Sequence, residues 1–433
     1  MTYEEAKQFI QEASKTGSIL GLKTIRHLMH VLGDVHLTLP VIHIAGTNGK
    51  GSVGAYLYSI FHEAGLHVGR YTSPAVFDPM EVWQYDGRMM THEEYARIMT
   101  RVRSACEQVV REGGAMPTVF EIETAAAFVY FAEKPIDVVL MEVGMGGETD
   151  ATNVIEKPLC SVITTISFDH MQFLGKSLED IARIKCGIIK PGCPVYSAPQ
   201  EPAVEAVIRQ VAQEKNCIIG VVKEDRIRLV SGKPGELKCF YKDIPLTTQM
   251  AGHYQMYNAA LACKVACHRL PELLPEYDDM KMRRVARIVI GIERATWPGR
   301  FETIGRDPLF IIDGAHNEGA ALELAKTVRC CFKKRKLVYI IGVLADKEHK
   351  RMLEIMQPFG EKVYTVTPGN QRALSAEELA EEARAYYSEV TACETVEEAV
   401  RLALREKEPV LALGSLSYLQ ELEKAYSDLI NRE

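Results

Sequence analysis

Two periods of hydrophobic and polar positions run through this chain and predict most of its elements. Short, nearly continuous apolar runs at Val41-Ile42-His43-Ile44-Ala45, Val138-Val139-Leu140-Met141 and Ser161-Val162-Ile163 have the character of strands covered on both faces. Val68 to Tyr71 adds a strand that ends in the turn Thr72-Ser73-Pro74. Between the strands, apolar residues recur every three or four positions. This spacing predicts helices over Thr2–Ala13, with Phe9, Ile10 and Ala13 on one stripe, and over the segment holding Ile25, Leu28, Met29 and Leu32. Further helices are predicted from about Ser52 to Ala64, from Thr91 through Tyr95, Ile98 and Val102, from Ala125 to Glu133, and from about Glu201 to Glu214. Thr91 with Glu94 has capping-box spacing, and Ser177 with Asp180 caps a helix carrying Ile181 to Lys190.

Strands alternating with helices are the pattern of a parallel α/β sheet. A strand through Ile218 to Val222 and a hairpin from Lys238 to Thr248 read as an extension of that first sheet. At Thr296-Trp297-Pro298-Gly299-Arg300 proline and glycine make a stiff bend and the chain changes module. Strands over Leu309–Ile312, Leu337–Ile341, Val363–Val366 and Val410–Leu413, again alternating with helices, predict a smaller Rossmann-like α/β unit. The expected division is therefore residues 1–297 and 298–433.

Composition narrows the choice of function. A chain of 433 residues is long enough for two or three cores, and 51 basic against 58 acidic residues leave a formal charge of −7. That balance gives no footprint for nucleic acid. No run approaches the roughly 18 apolar residues that cross a bilayer, and Met1-Thr2-Tyr3-Glu4-Glu5 opens an amphipathic helix, so the protein is expected to be cytoplasmic. The 11 cysteines are scattered, mostly in apolar segments, and read as small core residues; the adjacent Cys330-Cys331 pair lacks any metal-ligand spacing.

Against this background, one stretch carries distinct chemistry. Gly46-Thr47-Asn48-Gly49-Lys50-Gly51-Ser52 follows a buried strand and opens a helix, which is the layout of a phosphate cradle: backbone N–H groups turn inward, the helix adds its positive end, and Lys50 supplies a mobile charge. A nucleoside triphosphate is the expected ligand. The match to G-x-x-x-x-G-K-[ST] is imperfect, because Gly51 intervenes between Lys50 and the Ser52 hydroxyl. The first domain is thus expected to be a P-loop ATPase-type parallel sheet. A second block ends the strand at Glu142, ahead of Gly144-Met145-Gly146-Gly147. A carboxylate at the end of so apolar a strand needs a cation, and magnesium beside nucleotide phosphates supplies one. His170 follows the next strand and reads either as a hydrogen-bonded structural histidine or as a metal ligand. Lys185 lies among apolar residues, so its ammonium either is desolvated or snorkels to solvent. Gln255 and Asn258 share a helix face as donors or as packing, and Arg300 offers a fork suited to phosphate.

The order Asn48-Gly49-Lys50-Gly51-Ser52 resembles the version used by the Mur ligase superfamily, where ATP activates a carboxylate for amide formation. More closely still, the chain resembles the folylpolyglutamate synthase/dihydrofolate synthase family, through separated blocks spanning nearly its whole length. The resemblance implies ATP at Thr47, Asn48, Gly49, Lys50, Gly51, Ser52, Asn258, Arg300, Asp313 and His316. It implies magnesium held by Ser73, Glu142, His170 and a carbamylated Lys185, with Lys50, Glu142, His170 and Lys185 as the catalytic group. It also places Gly21, Leu22, Phe120, Glu121, Thr149, Asp150 and Ala151 against a pterin-bearing substrate; for Glu121, complementing a helix dipole is the rival explanation. Three positions depart from the family: Ala75 replaces a histidine, Val76 to Gln84 lacks arginine, and Glu148 stands where arginine is usual. These losses imply either a shifted substrate preference or that Arg70 and Arg88 supply part of the missing charge.

These pieces describe a cleft between two domains with an anion cradle, a metal layer and no nucleophile–base pair, which fits phosphoryl activation of a carboxylate. The expected activity is ATP- and Mg2+-dependent addition of L-glutamate to a folate, with dihydropteroate as a further acid substrate, by a monomer. The alternatives are a Mur-type amide ligase acting on another carboxylate, favoured by Ala75, Glu148 and the arginine-poor loop, and a P-loop ATPase that regulates without ligating.

Overall fold

The computed structural model describes residues 1–14, 17, 21–275 and 280–431; Ser18, Ile19 and Leu20, which precede the expected substrate residues Gly21 and Leu22, lie outside this set. Seventeen strands are formed among the described residues. The first eight are β1 (Val41–Ala45), β2 (Val68–Tyr71), β3 (Trp83–Tyr85), β4 (Arg88–Met89), β5 (Val138–Glu142), β6 (Cys160–Ile163), β7 (Val195–Ser197) and β8 (Ile219–Val221). They make one sheet in the order β4-β3-β2-β5-β1-β6-β7-β8, parallel from β2 to β8, with β3 and β4 antiparallel at one edge. Every residue of β1, β5 and β6 is buried, as their apolar runs require. The chain leaves β1 toward β2 and leaves β6 toward β7, in opposite directions across the sheet. The order therefore reverses between β1 and β6, where open α/β sheets form a crevice beyond their carboxyl ends.

Helix starts follow local hydrogen bonding. Thr2, Thr91 and Ser177 each close a capping box, as the spacing predicts for Thr91 and Ser177. The same device starts a helix at Val119 rather than at Ala125, because Thr118 and Glu121 cap each other. The helix predicted to reach Lys190 stops at Lys185 and gives way to a short 3-10 turn, Cys186–Ile188. The cradle helix runs Lys50–Glu63, two residues ahead of its predicted start, with Gly49 left-handed at its N-cap.

The predicted hairpin is not an extension of this sheet. β9 (Ile227–Lys233), β10 (Glu236–Tyr241) and β11 (Ile244–Thr248) form a separate antiparallel sheet, in which Leu237, Cys239 and Tyr241 are buried while Lys238 is exposed. That one-sided alternation suits an antiparallel sheet, not a strand covered on both faces. The last six strands are β12 (Glu302–Arg306), β13 (Leu309–Ile312), β14 (Leu337–Ile341), β15 (Gly360–Thr365), β16 (Glu389–Ala392) and β17 (Val410–Leu413), ordered β12-β13-β17-β14-β15-β16 and parallel except for β12. The short, half-exposed β12 and β16 escaped the apolar pattern.

The chain divides into two units. One holds Met1–Ile166, His170–Glu224 and Ala260–Gly291, and the other holds Ser167–Asp169, Asp225–Ala259 and Ile292–Glu433. Each has its own apolar core. Among the described residues no helix is long and apolar enough to cross a membrane.

Candidate active site

In the first unit, parallel pairing brings the loops after β1, β2 and β5 to one edge. Ile44 lies opposite Glu142, and Tyr71 opposite Met141, so the cradle, Ser73 and Glu142 all leave the sheet at adjacent strand ends. Gly46 is required here: its φ is +155°, and a Cβ would lie 1.8 Å from Thr164 Oγ1 on the neighbouring strand's loop. Not every cradle amide faces a ligand. Those of Thr47 and Asn48 donate to Thr165 O at 2.9 and 3.2 Å, which pins the loop beside β6. The amides of Lys50 and Gly51, in the first helical turn, have no acceptor within the helix, and the helix dipole favours an anion there.

Two ammonium groups converge on this loop. Lys50 Nζ donates to Gly46 O at 3.3 Å and Lys185 Nζ to the same oxygen at 3.0 Å. Lys50 Nζ also stands 3.9 Å from the buried Glu142 carboxylate. Gly147 makes the approach of Lys185 possible, since a Cβ there would fall 2.7 Å from Lys185 O. Ser52 is buried in the same helix. His170 starts the helix Met171–Leu174 with φ +51° and is exposed. Among the described residues no three His, Cys, Asp or Glu side chains gather as a metal-ligand set. Ser73, however, has a buried hydroxyl with no hydrogen-bond partner among the described residues. An orphaned hard oxygen beside a strand-end carboxylate fits a hard cation such as magnesium.

Of the predicted acid-substrate residues, Phe120 and Asp150 are tied to the same glycine turn. The Phe120 ring lies on Gly144, where a Cβ would come within 2.5 Å of it, and sits 6.3 Å from the Tyr71 ring. Glu121 accepts from Thr118 N at 2.8 Å and Thr118 Oγ1 at 3.0 Å; burial raises its pKa and these bonds pull it back, so its visible work is capping. Asp150 is buried and its carboxylate takes Thr152 N at 3.0 Å and Met145 N at 2.9 Å, which ties the glycine turn to the 3-10 turn Ala151–Val154. Ala151 is buried, while Thr149 and Glu148 are exposed. Leu22 packs on the core as N-cap of the helix Lys23–Val31, and Gly21 has φ +135° with open space around it.

The arginine-poor loop organises itself around an acid. Glu81 Oε1 accepts from Val76 N at 2.5 Å, and Glu81 Oε2 from Phe77 N and Asp78 N at 3.3 Å. Arg70 is buried, donating to Gln84 Oε1 at 2.5 Å with its guanidinium 5.4 Å from the Tyr58 ring; burial lowers its pKa to about 10. Arg88 is exposed on β4.

The second unit collects its own polar set. Asp313 at the end of β13 accepts from Tyr254 OH at 2.9 Å, Phe301 N at 2.8 Å and Ala315 N at 2.8 Å. Burial raises its pKa and the neighbouring Arg300 guanidinium opposes the rise. Arg300 Nη1 donates to Gly299 O at 3.1 Å, and His316 Nδ1 pairs with Gly314 O at 2.8 Å. Asn258 Nδ2 donates to Gln255 Oε1 at 3.0 Å, linking these two buried amides. Asp169, not singled out in the sequence although it precedes His170, accepts from Lys347 Nζ at 2.7 Å and Asn317 Nδ2 at 3.1 Å, with His316 Nε2 at 3.8 Å. Lys347 likewise carried no role before the structure placed it.

Comparison with known proteins accounts for both units. Residues 44–266 match the Mur ligase middle domain, and residues 299–416 match the Mur ligase glutamate ligase domain. The dihydrofolate synthase/folylpolyglutamate synthase of Bacillus subtilis (strain 168) is 32% identical over 435 residues, covering 98% of each chain. The crystal structure of Mycobacterium tuberculosis folylpolyglutamate synthase complexed with ADP and AMPPCP matches with a TM-score of 0.83 at 28% identity, covering 100% of this chain and 98% of that one. E. coli FolC in complex with DHPP and ADP matches with a TM-score of 0.81 at 26% identity, over 99% and 98% of the two chains. With likeness sustained from end to end, through the segments that build the cradle and the glycine turn alike, the chain belongs to the dihydrofolate synthase/folylpolyglutamate synthase family of Mur-type ligases.

Proposed function

We propose that the protein is an ATP-dependent ligase that joins L-glutamate to a carboxylate of a folate through an acyl phosphate, and that dihydropteroate is a further acid substrate. The observation that carries this reading is the pair Lys50 and Lys185 converging on Gly46 O above a helix N-terminus, beside the Glu142 carboxylate. A carboxylate resists amide formation because its leaving group is oxide. One of its oxygens attacks the γ-phosphorus, ADP leaves, and the acyl carbon then carries phosphate, a competent leaving group. The glutamate amine attacks that carbon, phosphate departs and the nitrogen loses a proton. The chain's work is positioning and charge. The Lys50–Gly51 turn and the Lys50 ammonium hold the triphosphate. Phe120 and the segment Thr149–Ala151 orient the acid at the glycine turn.

Ser73, Glu142, His170 and a carbamylated Lys185 are the residues that would hold magnesium; when bound, it neutralises the crowded phosphate charge. Asn258, Arg300, Asp313 and His316 are proposed nucleotide contacts on the second unit. In this reading residues 1–297 serve ATP binding and 298–433 the ligase end. The protein is proposed to act as a monomer in the cytoplasm, a compartment that suits 11 cysteines that are all thiols.

A second reading, a Mur-type ligase acting on a different carboxylate, is favoured by Ala75, the exposed Glu148 and a loop built around Glu81 rather than arginine. Phosphate release with ATP and magnesium separates these readings. Release that requires both a tetrahydrofolate and glutamate is expected. Release that requires glutamate and some other acid selects the second reading, and release indifferent to organic substrates leaves only a nucleotide hydrolase.

A further inference from the structure

His43 lies in the middle of β1 with no exposed surface, three residues before Gly46. Neither cradle nor metal explains a histidine there. Its Nε2 stands 2.8 Å from Thr152 Oγ1, across 109 residues of sequence, and Thr152 Oγ1 stands 2.5 Å from Asp150 Oδ1. Proton bookkeeping fixes the direction of this chain. Burial raises the pKa of Asp150, and its donors Thr152 Oγ1, Thr152 N and Met145 N oppose the rise. With the carboxylate ionised it can only accept, so the single Thr152 hydroxyl proton goes to it, and the Thr152 oxygen accepts from His43. The imidazole therefore carries its proton on Nε2 and leaves Nδ1 bare. Nδ1 is buried with no hydrogen-bond partner among the described residues, which an acceptor tolerates better than an N–H does. Burial, with the nearby Lys190 ammonium adding to it, holds the ring neutral, its pKa lowered to about 3.

The far end of the chain is the segment Thr149-Asp150-Ala151. Beneath it Lys190 Nζ braces Asn153 O at 3.1 Å, and Asn153 Nδ2 reaches Glu148 O at 2.9 Å and Gly187 O at 3.3 Å. Those contacts hold the backbone. The Thr152 hydroxyl links the His43 ring on β1 to the Asp150 side chain, which Met145 N also holds at 2.9 Å.

We propose that His43 is a positioning residue for the acid substrate: as a neutral donor it aims the Thr152 hydroxyl at Asp150 and so sets the segment 149–151 that the folate meets. This rests on the folate reading given above. Its signature is selective: the Michaelis constant for the acid changes while that for ATP does not. Glutamine offers an amide N–H at about the reach of imidazole Nε2, whereas leucine offers none.

Steady-state kinetics of wild type, His43→Gln, His43→Leu, Thr152→Val and the double variant His43→Leu/Thr152→Val test it, with a tetrahydrofolate as the varied acid. Expected for His43→Leu is a rise of about tenfold in KM for the folate, the size typical of lost orienting contacts, with KM for ATP unchanged. His43→Gln should restore most of the loss, and the double variant should be no worse than the worse single one. An unchanged folate KM in both His43→Leu and Thr152→Val overturns the proposal, as do equal rises in both KM values or no rescue by glutamine. Histidine 15N shifts read the same assignment without substrate, or if a leucine variant fails to fold: an Nε2–H ring that stays neutral from about pH 5 to 9 is expected. An Nδ1–H tautomer or a titrating ring refutes it. Wild-type protein that ignores folates brings down the folate reading instead, and the kinetic comparison is then made with the acid that supports phosphate release.

Discussion

Glu123 is the carboxylate whose surroundings oppose its charge most plainly. It sits on the helix Val119–Ala132, whose sequence is otherwise almost wholly apolar, and its backbone carbonyl takes Trp83 Nε1 at 3.1 Å. Its charge is felt by the Tyr71 and Tyr95 hydroxyls, yet its own side chain has no hydrogen-bond partner among the described residues. Burial alone lifts its pKa from the ordinary 4.5 to about 7. The sign follows from where the proton is held. Between those two values the folded protein keeps the proton and the unfolded chain releases it, so stability falls as pH rises through this window. Below about 4.5 both states are protonated and nothing is lost, and above about 7 the full cost is present. At roughly 1.4 kcal/mol per pKa unit the cost is about 3 kcal/mol, which partial exposure trims to about 2–3.

Glu123→Gln removes the charge and keeps the shape. Thermal midpoints of both proteins at about pH 5 and about pH 8.5 measure the difference. The variant should melt several degrees higher at the alkaline end, since each kcal/mol moves a domain of this size by roughly 2–4 °C, and the gap should shrink to about a third near pH 5. A gap that does not depend on pH, or a variant less stable at about pH 8.5, refutes the burial argument.

Other substitutions probe the cradle and its neighbours. Gly46→Ala places a Cβ into Thr164 Oγ1 at a φ of +155° and should abolish ATP-dependent turnover and lower the melting midpoint; turnover within about twofold of wild type contradicts the geometry. Lys185→Ala should lose at least about two orders of magnitude in kcat and regain part of it when acetate is added; no rescue at any concentration counts against a carbamate. Glu148→Arg replaces an exposed acid and should lower KM for an anionic folate by about two- to fivefold at low salt, an effect that fades as salt is added; an unchanged KM means that this side chain does not face the substrate.

Sequence alone determined what is local. The apolar runs of β1, β5 and β6 require cover on both faces, and Thr91 with Glu94 or Ser177 with Asp180 starts a helix through hydrogen bonds three residues apart. The same rule applied to Thr118 and Glu121 yields the true helix start, and it shows why Glu121 is legible as a cap before it is legible as anything else. The cradle was readable because all its parts lie within one turn and one strand. What only tertiary structure decided is which strand ends become neighbours. Crossovers bring Lys185 to Gly46 over 139 residues, His43 to Thr152 over 109, and Lys347 to Asp169 over 178. The strands β9 to β11 fall in the second unit, and their one-sided burial gave them no place in a doubly covered sheet. Periodicity and capping act over a few residues; partnership across a sheet depends on strand order, which no local pattern encodes.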